Sequence, residues 1–327
     1  MTAPSIVTVQ VSVLTAPTPS TLQQTGAFIS MGATTWTPGT FNLITEMADL
    51  TPHLVAAAAV STAVFDTDHV DVATTAPHGL TVGETVLLTF AGFTPTGYNG
   101  TFLCTIDSAS TLHYAQAVDP GATSVVGTWV VASKNELISM ATTFFAQGTI
   151  SSVYVLELGP TSVTEAVAAL AAWLTANPLT IYSFLVPRSW DNDASFLALL
   201  ALYESNTSMT YFWVTTTSGT YTSYTATMKD VIALVEAPTV VTTATTEFSL
   251  AGPFYHSLSF NPSPTNRVPP FAFSYAYGVT AYPTVGNSAL LNLLKAASIN
   301  VIGTGAEGGI SQTMIYWGTT KDARDFL

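Results

Sequence analysis

The pattern of apolar residues changes character once along this chain, near residue 133. Before that point, short β-branched runs are separated by Gly, Pro and Asn. After it, such runs alternate with helical stretches that carry capping signals. The first pattern predicts a small all-β module. The second predicts βαβ units around a buried, largely parallel sheet.

In the all-β stretch, strands are expected at Val86–Phe90, Thr101–Ile106, Thr111–Ala115 and Val125–Val131, with a turn at Gly97-Tyr98-Asn99-Gly100. His78-Gly79-Leu80 reads as a turn in which Gly79 takes a positive φ. Downstream, Ser133-x-x-Glu136 and Ser162-x-x-Glu165 are capping-box signatures. They predict helices running to Gln147 and to Asn177-Pro178. Val163, Ala166, Val167, Leu170, Trp173 and Leu174 fall on one face of the second. Strands are expected at Ile150–Leu158, Leu179–Val186 and Met209–Thr215, and Asp191 or Asn192 is expected to cap a helix over Ala194–Tyr203. Ala226–Val235 reads as a helix and Thr239–Thr243 as a short strand. After a proline-rich stretch, a helix over Ser288–Ala297 leads to a strand at Asn300–Gly303. A turn marked by Gly303, Gly305, Gly308 and Gly309 then precedes a last strand, Gln312–Trp317. Upstream, Ala27–Ser30 reads as a strand and Leu50–Val60 as a helix.

The resulting organisation is an extended arm over 1–20, an αβ core formed by 21–62 and 133–327 with a break near 245–285, and an inserted all-β module over 63–132. The fold class is α/β (α+β), a mixed sheet with flanking helices plus a small all-β domain. In the arm, the β-branched run Ile6, Val7, Val9, Val11 and Val13 has no hairpin partner nearby in the sequence. It reads either as an edge strand of the first domain or as a strand that pairs with a neighbouring subunit.

Composition removes several function classes. Charged residues make up 8% of the chain, against roughly 25% in ordinary domains, and mean hydropathy is +0.41. The longest apolar run, Leu54–Phe65, is too short for a membrane span, which needs about 20 residues, so no direct membrane insertion is expected. The first Lys or Arg is Lys134, and the net charge is −13. A basic nucleic-acid surface is therefore excluded, and nucleic acid is not expected as a partner. Cys104 has no second cysteine to pair with, and the N-terminus lacks the pattern of a signal peptide. So apolar and weakly charged a chain is expected to hide much of its surface against other subunits.

Catalytic signatures are missing. There is no G-x-S-x-G elbow and no P-loop, and the histidines at 53, 69, 78, 113 and 256 sit in no motif. Cys104 lies in an apolar strand and reads as an inert thiol. Asp66, Asp68, His69 and Asp71 have oxygen-ligand spacing but no EF-hand glycine, and read as a solvated acidic turn. Gly303-x-Gly305-x-x-Gly308 lacks the helix that a dinucleotide fingerprint requires. Asp191 and Asp193 could pair for glycoside hydrolysis, yet they also sit where a helix N-terminus favours acids. Tyr211-Phe212-Trp213 reads as core. No catalytic, cofactor or metal residue is expected, and the chain is not expected to be an enzyme.

Several passages, taken in order, resemble the contractile tail sheath proteins of myovirus-type bacteriophages, in a divergent branch. Leu290-Leu291-Asn292-Leu293-Leu294 followed by Ala297-Ser298-Ile299-Asn300-Val301-Ile302 is similar to the family's helix-then-strand step. Ile315-Tyr316-Trp317-Gly318-Thr319-Thr320 is similar to its "WG-x-T" strand end. Ala251-Gly252 with Pro264-Thr265-Asn266-Arg267 resembles its "AG…P-x-N" passage. Glu136–Gly148 and Tyr154–Leu158 resemble the helix and strand near the start of its sheath domain. The stretch containing Ala76-Pro77-His78-Gly79-Leu80 and Gly97-Tyr98-Asn99-Gly100-Thr101-Phe102 resembles a small β module of phage tail and baseplate proteins.

The resemblance implies a structural subunit of the virion tail, assembled in the host cytoplasm. Copies would form hexameric rings stacked as a helical polymer, with tail tube and baseplate proteins as partners. Contraction would drive the tube through the host envelope. Sheath proteins continue past the "WG-x-T" strand into a domain facing the tube, and this chain stops there, so no tube-contacting residue is carried over. Besides the arm, Lys321 and Arg324 are the candidate subunit contacts. An alternative is a tail or baseplate protein that binds a glycan or receptor through the β module.

Overall fold

The computed structural model describes residues 21–149, 151–204, 210–242, 247–259, 274–283, 285–307 and 310–321. Ile6, Val7, Val9, Val11, Val13 and Arg324 lie outside them, as do Pro264–Arg267, Gly308 and Gly309.

The chain opens with β1 (Gly26–Ser30) and β2 (Phe41–Ile44), then a one-turn helix α1 (Met47–Leu50). Six strands follow: β3 (Ala58–Asp66), β4 (His69–Thr74), β5 (Thr85–Ala91), β6 (Gly100–Ile106), β7 (Thr111–Ala115) and β8 (Thr128–Val131). The core resumes with α2 (Ala132–Ala146), β9 (Val153–Glu157), α3 (Val163–Ala176), β10 (Ser183–Leu185), α4 (Ala194–Glu204), β11 (Tyr211–Thr216) and β12 (Val231–Val235). Then come α5 (Pro238–Thr242), α6 (Ala251–Ser259), α7 (Ser288–Ala296), β13 (Asn300–Glu307) and β14 (Ile310–Tyr316).

Eight strands form one sheet in the order β14-β13-β12-β11-β10-β1-β9-β2. The inner strands run parallel, and the two edge strands, β14 and β2, run antiparallel to their neighbours. Side chains alternate between two apolar layers, as the period of a strand requires. Ala27 and Ile29 share one layer with Leu170 of α3, Phe196 of α4 and Leu294 of α7. Phe28 belongs to the other, with α2 and α6, and its ring meets Phe144 edge-on at 5.4 Å.

That alternation explains the largest departures from the sequence reading. Val231-Ile232-Ala233-Leu234-Val235 is strand β12, not the end of a helix. All five side chains are buried because odd and even positions serve opposite layers. Such a run carries no periodicity that separates strand from helix. Thr239 and its neighbours lie in α5, with Pro238 at its start, rather than in a strand. The expected helix over Leu50–Val60 reduces to the end of α1 and a 3₁₀ turn at Thr51–His53, before β3. In β3 the β-branched Val60, Thr62 and Val64 take the extended backbone they favour. Gly303 and Gly305 sit inside β13 instead of marking a turn. A Cβ on either would collide with the ring of Tyr316 or the thioether of Met314, both on β14.

Strands β3-β4-β7-β6-β5-β8 close into a barrel. Its interior is apolar, filled by residues such as Val70, Leu88, Phe90, Cys104, Leu112 and Tyr114. The barrel starts at Ala58, upstream of the Ala63 boundary expected from sequence, because β3 pairs with both β4 and β8. Ala58 is the register partner of Trp129, so the two ends of the insertion lie side by side. Replacing residues 58–131 with a short Gly-Ser linker is expected to leave a soluble core that melts cooperatively, as followed by circular dichroism. An insoluble or unfolded product would make the barrel part of the core's own folding unit.

Candidate functional site

In open α/β sheets, crevices form at the carboxyl ends of parallel strands, where the strand order reverses. Here the chain moves from β1 to β9 on one side, then returns to β10 on the other. A crevice of about 240 Å³ lies at that place, with Met31, just beyond β1, among its lining residues. Thr161, Ser162 and Thr164 from the start of α3, Ser189 after β10 and Asp193 before α4 line it from the core. Thr85, Leu87 and Leu103 line it from the barrel. The Thr161 hydroxyl reaches the Glu84 carboxylate at 3.1 Å, and the Ser133 hydroxyl accepts from the Met31 amide at 2.9 Å.

Two buried carboxylate knots hold this end of the sheet. Glu157, at the end of β9, is 1% exposed. Its Oε2 accepts from the hydroxyls of Ser30 and Thr34, at 2.6 and 2.7 Å, and from the Thr34 amide at 3.1 Å. Its Oε1 accepts from the amides of Gly32 and Gly159, at 2.7 and 2.8 Å. The second knot centres on Arg188. Its Nε and Nη2 donate to the two oxygens of Glu236 at 2.6 and 2.8 Å, and Nη2 also reaches the Glu247 carbonyl at 2.9 Å. The guanidinium lies 4.2 Å from the Phe248 ring centre. Glu136 accepts from the Arg188 amide at 2.6 Å. Burial works against the Arg188 charge, but the hydrogen bond and charge of Glu236, with Glu136 and Glu247, hold its pKa above the usual guanidinium value. Burial pushes the Glu136 carboxyl up, and the Arg188 charge offsets part of that.

The sequence pattern places Glu136 in a capping box and gives Glu157, Arg188 and Glu236 no role. Ser133 does not cap α2: Ala132 already belongs to the helix, and the Ser133 hydroxyl is engaged by Met31. The available signal for Glu157 is an acid at the end of an otherwise apolar strand run, Val153–Leu158. For Arg188 it is the position of one of only seven basic residues, shortly after a buried strand.

The other candidates separate in space. Asp193, not Asp191 or Asn192, caps α4, accepting from the Ser195 and Phe196 amides at 2.9 and 3.1 Å. Asp191 accepts from the hydroxyls of Thr220 at 2.5 Å and Tyr224 at 3.0 Å. Ser162 does cap α3, accepting from the Glu165 amide at 3.3 Å. Phe212 and Trp213 are fully buried. Gly79 has φ 73°, and the His78 Nδ1 accepts from the Leu80 amide at 3.1 Å. Lys321 is 3% exposed; its ammonium donates to the Ala297 carbonyl, and burial pushes its pKa down to about 8. That side chain is therefore turned into its own chain, not outward as a subunit contact would require.

Cys104 is fully buried in the barrel, and burial pushes its thiol up to about 12. The thiolate is the reactive form. Labelling with a disulfide reagent is expected to be negligible at neutral pH and to become stoichiometric in denaturant. Rapid labelling of the native chain would mean that the barrel opens readily.

No helix among the described residues is long and apolar enough to cross a membrane. No family model matches this chain, and no curated protein matches it. Among solved structures, the chain is similar to the sheath tail protein Lin1278 from Listeria innocua. The alignment covers 95% of this chain and 70% of that one, at 11% identity and a TM-score of 0.41.

Proposed function

We propose that this chain is a structural subunit of a phage contractile tail sheath. One observation carries the reading: two of the sequence passages behind the resemblance meet as one structural unit. The run Leu290–Leu294 lies in α7, and Asn300 opens β13. The Asn300 side chain is fully buried and binds the Thr319 backbone twice, donating to its carbonyl at 2.8 Å and accepting from its amide at 3.0 Å. A third bond runs to the Ala233 carbonyl of β12 at 3.1 Å. The helix-then-strand step and the "WG-x-T" end are thus joined by the asparagine of the first and the threonine backbone of the second.

Polymer growth in this proposal uses strand addition. The core sheet offers an edge at β2, where Leu43 is half exposed and no further strand pairs among the described residues. The β-branched run Ile6–Val13 has the sequence of such a strand. Heterologous contacts close into rings where the rotation permits and otherwise propagate as open helical filaments, and this proposal uses both, as rings stacked helically around a tube.

Negative-stain microscopy of the purified chain is expected to show striated or tubular polymers. Deleting residues 1–14 is expected to abolish them while the thermal melt is preserved. Equal polymerisation of the truncated chain would overturn the role of the arm. A discrete monomer at high concentration in both would overturn the sheath reading.

A further inference from the structure

The outer wall of the barrel carries a cluster that the sheath reading does not use. In strands β4 and β7, alternate residues point outward, which places His69, Asp71 and His113 on the exterior. Asp66 and His69 are register partners at the end of the β3–β4 hairpin, joined only by Thr67 and Asp68. Asp71 lies opposite His113 in the β4–β7 register. The two imidazole centres are 5.6 Å apart.

Each ring is held by a carboxylate. His69 Nδ1 is 2.9 Å from Asp68, and His113 Nδ1 is 2.9 Å from Asp107. An ionised carboxylate can only accept, so Nδ1 carries the proton and, in the neutral ring, Nε2 presents its lone pair. This carboxylate–histidine arrangement is the usual support of an imidazole that ligates a metal.

The Nε2 of His69 lies 3.5 Å from an Asp71 oxygen. That is long for a hydrogen bond. It is close to the spacing of about 3.3 Å between two donors on one tetrahedral zinc with bonds of about 2.0 Å. One donor atom each from Asp66, His69 and Asp71 falls within 4.8 Å of the others. The wall has no cation of its own, since residues 1–133 hold no Lys or Arg.

We propose that Asp66, His69 and Asp71 bind one divalent transition-metal ion of the zinc type, beside the ring of His113. The imidazole selects this class over calcium and magnesium, which prefer all-oxygen shells. All three side chains sit on the paired strands β3 and β4 rather than a long loop, so the donors are already positioned.

Isothermal titration of the metal-free full chain with zinc chloride tests the site. One ion per chain is expected, and His69→Ala and Asp71→Asn are each expected to weaken binding by about tenfold or more, the loss typical of a disturbed metal shell. His113→Ala is expected to weaken it by a smaller factor. Thermal melts of the variants are expected to match the parent, because the three side chains are at the surface. Absence of zinc binding would overturn the proposal. So would binding that survives both His69→Ala and Asp71→Asn, which would place the ion on another histidine. Calcium chloride binding as tightly as zinc would overturn the assignment to the imidazole.

Discussion

Arg188→Ala is expected to cost the fold about 3–5 kcal/mol, the range for removing one partner of a buried ion pair. Glu236 is the reason. Its side chain is fully shielded from solvent, and Arg188 supplies two of its hydrogen bonds, with the Ser249 amide giving a third at 2.6 Å. Without the guanidinium, a carboxylate would remain buried with no counter-charge. The same substitution removes the bond to the Glu247 carbonyl and the cation from the face of Phe248. Whole domains have only about 5–15 kcal/mol of stability, so urea melts should show a large drop in midpoint. The double variant Arg188→Met with Glu236→Leu is expected to recover much of the loss, because that charge pair is then replaced by apolar side chains. A single variant as stable as the parent would mean that solvent reaches Glu236.

Glu157→Gln is the second large effect. Five donors converge on the two oxygens of Glu157: two hydroxyls and three backbone amides. An amide side chain keeps one acceptor and turns an NH₂ group toward donors. At least one backbone N–H would then be buried without a partner, at about 1–3 kcal/mol for each such group. A total of about 3 kcal/mol or more is expected from the facing donors together. The loss should be local as well as global. Residues 30–34 include Met31, which lines the crevice, and their amides are expected to exchange with deuterium faster in Glu157→Gln. Unchanged exchange there would show that the loop is held by other contacts.

How much of this is readable in the sequence depends on how far apart the partners lie. The helix α3 is legible because its cap, its apolar face and its Asn177-Pro178 stop are all local. Strand β1 is legible because a short β-compatible run sits between Gly26 and Gly32. Strand β12 is not, because burial on both faces erases the alternation that marks a strand. Ser133 misleads because a capping box cannot tell whether the chain before it is already helical, and here β8 runs directly into α2. The two knots are out of reach for a different reason. Glu157 binds residues more than a hundred positions away, and Arg188 and Glu236 are brought together by separate strands of the sheet. His69 and Asp71 read as part of an acidic turn, but the second imidazole, His113, enters only through the β4–β7 register.

The junction between β8 and α2 has a mechanical side. Val131 ends a barrel strand and Ala132 begins the helix, with no residue between them to act as a joint. Phe144, near the other end of α2, is packed against Phe28 of an inner strand of the sheet. A close-packed interior transmits strain instead of absorbing it. The barrel is thus joined to the sheet through α2 without a flexible link. A push or twist applied to the barrel from outside would be delivered along that helix into the middle of the sheet.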